Sequence, residues 1–173
     1  MKDPNDPINE IAKDLDRLIP ASDRLLMLDL VMVWARVDTS IGQMASTLFG
    51  MTPSIGAIVF NRMRVQDRLK RCRDLCLQIE HAEGAAHFKK LRTDYERHSK
   101  PRNLIAHACC IGITRLSPRS LVFLPFEAEG GFGNLAIEQL PMPMVQDAIE
   151  WGERIDADVI AYLNENEFWE KHD

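Results

Sequence analysis

The chain has 173 residues, of which 46% are hydrophobic and 27% charged, and its formal net charge at pH 7 is −5. This composition is typical of a globular domain with a substantial core, and the negative charge argues against a general nucleic-acid coat protein. No apolar run approaches the roughly 20 residues that a membrane span requires, and residues 1–7 lack the apolar segment of a secretory signal. We therefore expect a single cytoplasmic domain over 1–173, with no membrane partner and with four reduced cysteines.

The charge is unevenly distributed along the chain. Residues 60–110 contain twelve Lys and Arg and six Asp and Glu, a local net charge of +6, so the remainder carries −11 by difference. This basic segment is either a solvated face of paired helices or an anion-binding surface.

The first half of the chain is predicted to be helical. Residues 1–7 are polar, contain two prolines and are expected to be disordered. Apolar residues at helical spacing predict a short helix over 8–19 and a long one from Ser22 or Asp23 to about Phe49. The long helix is apolar on nearly all sides in its first half, so we expect it to be central or buried against a second subunit.

Helical spacing resumes over 54–80, with a kink expected near Asn61. Cys72 and Cys76 lie one turn apart there, which could present two thiolates to a metal ion. No further cysteine or histidine follows at zinc-finger spacing, so we predict buried free cysteines and neither a metal nor a cofactor.

A further helix starting near Gly84 leads into a segment with a sharply defined helix start. Lys100 precedes a proline and is expected outside the α region, which places Pro101 at the first helical position. Arg102 and Asn103 then fall in the first turn, beside backbone N–H groups that lack helical partners. An anion is favoured at such a helix start.

His107 follows Asn103 by one helical turn, and the helix is predicted to continue through Cys109 and Cys110 and to end at Gly112. A histidine on such an apolar helix is either a hydrogen-bonded core residue or a functional group. Asp38 is expected to pair with an arginine or cap a backbone donor, or alternatively to orient His107.

After this helix the apolar pattern changes to short β-like runs. We predict a small antiparallel hairpin or sheet over about 111–140, with a turn at the glycine-rich residues 129–134, before a final helix over 143–165. The glycine-rich run is not followed by the Lys-Ser/Thr helix start of a P-loop. The predicted fold is therefore mainly α, with about five or six helices.

The stretch Arg102-Asn103-Leu104-Ile105-Ala106-His107 resembles the hallmark of the HEPN superfamily (higher eukaryotes and prokaryotes nucleotide-binding). That hallmark is an arginine, commonly followed by a polar residue, with four to six residues before a histidine, and four intervene here. The resemblance implies a HEPN-like helical bundle, usually homodimeric, in which both motifs face a shared cleft. It also implies metal-independent endoribonuclease activity, which many members have.

The side chains of the motif suit RNA cleavage on chemical grounds as well. Histidine has an unperturbed pKa of about 6.5, so His107 can act as general acid or base. Arg102 can stabilise charge on the phosphate, and Asn103 can bind a phosphate oxygen or hold His107 in one tautomer. An ideal helix rotates by about 100° per residue, so Arg102 and His107 lie about 140° apart around the helix axis. This separation favours a composite cleft between two subunits.

Three functions remain open at this point. The first is a HEPN-type ribonuclease acting on RNA as a toxin or defence effector, with an antitoxin or regulatory protein as partner. The second is a non-catalytic HEPN-like dimer that binds nucleic acid, nucleotide or a partner protein. The third is a helical transcription-regulatory protein, because the size and element order loosely resemble the mannitol-operon-repressor family.

Overall fold

The computed structural model describes residues 13–124 and 137–165. In this part of the chain the fold is mainly helical, with a four-stranded antiparallel sheet, three strands of which directly precede the last helix. This confirms the predicted fold class. The predicted disorder of 1–7 and the predicted turn at 129–134 lie outside the described residues.

The described residues form six helices and four strands. The helices are α1 (Ala21–Leu48), α2 (Pro53–Phe60), α3 (Val65–Gln78), α4 (Ala82–His98), α5 (Lys100–His107) and α6 (Met142–Glu165). The strands are β1 (Leu15–Asp16), β2 (Cys109–Thr114), β3 (Ser120–Leu124) and β4 (Glu138–Pro141).

The chain divides into two compact units. The first comprises Met1–Met32 and Lys100–Ile149, and the second comprises Val33–Ser99 and Glu150–Asp173. The first unit therefore contains the sheet and α5, and the second contains α2, α3 and α4. The single domain over 1–173 stays a prediction.

The sheet of the first unit has the strand order β1-β2-β3-β4, and every pair is antiparallel. Leu15 and Asp16 pair with Thr114 and Ile113, so the predicted helix over 8–19 is wrong for these two residues. The physical reason is that the edge of β2 offers unpaired backbone groups, and this pairing outweighs a local helical pattern.

A partly buried ion pair fixes the start of α1 in the same unit. The carboxylate of Asp23 accepts hydrogen bonds from both terminal nitrogens of Arg119, at 3.0 and 3.1 Å, and Asp23 is only 4% exposed. Two parallel N–H···O bonds of this kind set both distance and orientation. The side chain of Asp23 thus holds the segment before β3 against the helix start.

The core of the second unit is centred on Trp34 of α1, which is fully buried. Its ring stacks on Trp151 of α6 at a centroid distance of 5.4 Å and meets Tyr95 of α4 edge-on at 5.1 Å. These offset-stacked and edge-to-face contacts are favoured by the quadrupoles of the rings. One side chain therefore holds three helices together.

The predicted helix over 54–80 is two helices, α2 and α3, separated by residues 61–64. The break lies where a kink near Asn61 was expected, and Arg64 is extended there, with φ −60° and ψ 144°. Thr52 caps α2 by accepting a hydrogen bond from the Ile55 N–H, and Pro53 is the first helical residue.

A substitution at Gly112 tests the pairing of β1 with β2. Its φ is +153°, and a Cβ placed there would lie 2.5 Å from the carbonyl oxygen of Asp16. We expect Gly112→Ala to lower the free energy of unfolding by about 1–3 kcal/mol, because backbone atoms would have to move. The measurement is urea denaturation. The exposed Cys109 of the same strand is the control, and Cys109→Ala should change stability by less than about 0.5 kcal/mol.

Candidate functional site

The residues of the HEPN-like motif all lie on α5, in the first unit. The sharply defined helix start predicted there is wrong. Lys100 is itself the first residue of α5, so Pro101 is the second, and Ser99 before it has helical dihedral angles of φ −76° and ψ −15°. The last turn of α4 thus reaches Ser99, whose N–H is bonded to the Tyr95 carbonyl. The predicted anion site at a free helix start is not supported.

The end of α5 also differs from the prediction. The helix ends at His107 instead of continuing through Cys109 and Cys110, which are the first residues of β2. The reason is that Cys109 to Ile113 pair with β3 along a register that includes a bulge between Cys110 and Gly112. His107 therefore occupies the last turn, at the C-terminal end of the helix.

Arg102 and Asn103 are in contact. The Arg102 Nη1 donates a hydrogen bond to the Asn103 Oδ1 at 3.1 Å. The bond orients the planar guanidinium, which carries further N–H donors, and leaves the amide group of Asn103 able to donate. The structure thus brings together a guanidinium and a carboxamide, both of which can bind phosphate oxygens.

His107 lies one turn after Asn103, so both side chains project from neighbouring positions on the helix surface. Arg102 is about 140° away around the helix and about 7.5 Å away along its axis. Within α5, the histidine and the arginine therefore do not share a face. A single phosphate can contact both only if the arginine side chain curves around the helix or if the groups come from two chains.

His107 is exposed, whereas Arg102 is half-buried. The interpretation of His107 as a core histidine is wrong, because the imidazole reaches solvent. An exposed imidazole can exchange protons with a substrate, which a core histidine cannot do. This exposure is the feature of the site that bears most directly on chemistry.

The basic segment over 60–110 is accessible. None of its twelve Lys and Arg residues is buried; eight are exposed and four half-buried. Arg68 has a structural role, since it donates hydrogen bonds to the carbonyl oxygens of Met63 and Asp38 at 3.0 and 2.9 Å. Most of the other cations are therefore placed where they can meet a polyanion.

Asp38 belongs to the second unit, and its carboxylate accepts a hydrogen bond from the Tyr95 hydroxyl at 2.8 Å. The arginine expected beside Asp38 is present, but Arg68 binds the backbone carbonyl of Asp38. The role of Asp38 in orienting His107 stays a prediction.

Burial raises the thiol pKa of three of the four cysteines. Cys72 and Cys76 are buried, and burial, reinforced by the nearby Cys76, raises the pKa of the Cys72 thiol to about 12. Burial also raises the pKa of Cys76 and of Cys110. Protonated thiols are poor metal ligands. Among the described residues, no group of three or more histidine, cysteine or carboxylate side chains could hold a metal ion.

No sequence pattern pointed to the aromatic stack that Trp34 and Trp151 form with His98, whose ring lies parallel to that of Trp151 at 5.1 Å. The same holds for His81, whose Nδ1 accepts a hydrogen bond from the Gly84 N–H and so caps α4. Histidine is not among the usual N-cap residues, which is why no sequence signal pointed to it.

Comparisons with known proteins found no match among protein-family models, curated proteins or solved structures.

Of the helices in the described ranges, none has the length and apolar character needed to cross a bilayer.

The exposure of Cys109 provides a test of the structure around the site, since it lies two residues after His107. We expect one thiol to react rapidly with 5,5′-dithiobis(2-nitrobenzoate) at pH 8, because the other three are buried or half-buried and have raised pKa values. Cys109→Ser should remove this fast phase, and Cys72→Ser should leave it unchanged. A fast phase that persists in Cys109→Ser would contradict the assignment.

Proposed function

We propose that the protein is a metal-independent endoribonuclease of HEPN type. The observation that carries this proposal is the exposed His107 on the same short helix as the hydrogen-bonded pair Arg102 and Asn103. The exposed cations of residues 60–110 support it, since they provide positive charge for binding RNA. In a cell such an enzyme acts as a toxin or defence effector restrained by an antitoxin or regulatory protein.

The chemistry follows from the side chains. The ribose 2′-oxygen attacks phosphorus while its proton passes to a base, and the 5′-oxygen leaves with a proton from an acid. An imidazole can serve in either step, and the guanidinium of Arg102 stabilises the negative charge that develops on the phosphoryl oxygens. The products are a 2′,3′-cyclic phosphate and a free 5′-hydroxyl.

A second copy of the chain is part of the proposal. The helical geometry of α5 keeps Arg102 and His107 on different faces, so we place the reacting phosphate in a cleft to which two chains contribute. An apolar stripe on α1 supports dimerisation: Leu25, Leu28 and Met32 are 60%, 53% and 53% exposed and recur at helical spacing. The prediction that this half of α1 is buried against a second subunit would account for the stripe.

Activity is tested with purified protein and total RNA in EDTA. We expect the wild type to cleave RNA and leave 2′,3′-cyclic phosphate ends, whereas His107→Ala should lose about 10²–10⁴-fold in rate. Arg102→Gln should lose a similar factor, because it removes the charge that stabilises the phosphate. RNA that survives equally with wild type and His107→Ala would overturn the nuclease and favour a non-catalytic HEPN-like dimer or a transcription-regulatory protein.

The matched control is Arg115→Gln. Arg115 is an exposed arginine that follows β2 in the same unit, outside the motif. Its replacement removes the same charge as Arg102→Gln and should leave the cleavage rate within about twofold. A loss as large as that of Arg102→Gln would mean that the rate reports overall charge and not a specific phosphate contact.

Dimerisation is tested through the apolar stripe. Leu28→Glu places a charge at its centre, and we expect it to convert a particle of twice 19.7 kDa into one of 19.7 kDa, measured by light scattering. Leu77→Glu is the control, because Leu77 is 57% exposed on α3 in the other unit. A wild-type particle of 19.7 kDa at micromolar concentration would contradict the composite site.

A further inference from the structure

The second unit contains an elongated cleft to which no residue of the HEPN-like motif contributes. One part of it is an apolar chamber with a volume of about 470 Å³. Its walls are formed by Met44 and Leu48 of α1, Phe88 and Leu91 of α4, and Val159 and Tyr162 of α6. A chamber of this volume, with mainly apolar walls, has the size and character of a small-molecule site.

A second cavity of about 430 Å³ adjoins the chamber, because His87, Leu91, Ile155 and Asp158 line both. Its other walls are polar and include Lys90, Asp94, His98 and Arg154. The two cavities are therefore one cleft with an apolar chamber and a polar mouth.

The cleft runs along α4 and α6, which are antiparallel. Tyr162 of α6 and Cys76 line the same end of the chamber, and a Cβ built at Gly84, near the start of α4, would lie 3.0 Å from the Cys76 Sγ. At the other end, Trp151 of α6 stacks on His98 at the end of α4. The lining of α4 extends from His81 to His98, about 25 Å at a rise of about 1.5 Å per residue. A long, narrow ligand fits this shape.

We propose that the cleft binds an amphiphile with an aliphatic chain and a carboxylate head, the chemistry of a fatty acid. The chain occupies the apolar chamber, where it replaces water against Phe88, Leu91 and Val159. The head lies in the polar mouth, where the guanidinium of Arg154 and the ammonium of Lys90 can donate hydrogen bonds to it.

We choose an anionic head because two cationic side chains, Lys90 and Arg154, line the mouth. Neither Lys90 nor Arg154 forms an ion pair with any of the residues that the structure describes. Asp94 and Asp158 follow them by four residues, but a cation that precedes its acid in a helix is the less favourable order. The fork of Arg154 can bind a carboxylate with two parallel hydrogen bonds. Because the two aspartates also line the mouth, an amine head is the competing ligand.

Isothermal titration calorimetry with the full chain tests the proposal, using decanoate, decanol and decylamine below their aggregation concentrations. We expect decanoate to bind at least about tenfold more tightly than the other two, since a charged hydrogen bond to the head contributes at least that factor. Tighter binding of decylamine would overturn the proposal, as would equal binding of all three or binding of none.

Variants of the lining distinguish binding of the carboxylate head from binding of the aliphatic chain. Lys90→Gln and Arg154→Gln should each weaken decanoate about tenfold and leave decanol unchanged, and Lys89→Gln, an exposed lysine outside the lining, should change neither. Val159→Phe fills the chamber and should abolish binding of both ligands. Its control, Ile160→Phe, adds the same ring at an exposed position outside the lining.

A circular dichroism melt establishes that each variant is folded. Decanoate affinity that survives in folded Val159→Phe would overturn the assignment of the chamber. If Val159→Phe is unfolded, the proposal is tested by Lys90→Gln and Arg154→Gln, because these two variants replace exposed side chains. Unchanged decanoate affinity in both of them would overturn the assignment of the mouth.

Discussion

The second unit depends on the close packing of α6 against α1 around Trp34. A Cβ at Gly152 would lie 2.6 Å from the Val33 Cγ1, so the helices approach more closely than any side chain at position 152 would allow. This approach brings Trp151 onto Trp34, and Tyr95 meets the same ring from α4. Among the described residues, the Nε1 of Trp34 has no hydrogen-bond partner, at a cost of about 1–3 kcal/mol that the aromatic contacts must offset.

The same packing leaves the cleft open. The aromatic contacts hold α4 and α6 at the end marked by Trp151, while towards Tyr162 the side chains of the two helices line a chamber without filling it. The chamber is partly open to solvent and has a volume of about 470 Å³, and small-molecule sites are commonly clefts of this kind. Its walls are held by contacts outside the chamber, which is how a preformed ligand site is built.

Much of the fold could be predicted from patterns in the chain. The periodicity of α1 and α4 is strong, and the change to β-like runs at about residue 111 was a clear signal. Two errors arose where long-range pairing decides the structure. Leu15 and Asp16 form a strand only because β2 is beside them, and Cys109 and Cys110 leave the helix for the same reason.

The candidate site was predictable in its residues but not in its surroundings. Arg102, Asn103 and His107 stand out because their types and spacing suit phosphate chemistry, and the contact between the first two follows from their adjacency. The exposure of His107 depends on where α5 ends, and that end is set by the pairing of β2 with β3. This property has no local signal. The aromatic stack and the capping role of His81 were likewise set by tertiary context.

The link between α5 and β2 is a single residue, Ala108. Because β2 pairs with β1 on one side and β3 on the other, the last turn of the helix is tied to a strand that cannot slide without breaking two ladders. Natural variation in length should therefore be excluded between His107 and Thr114.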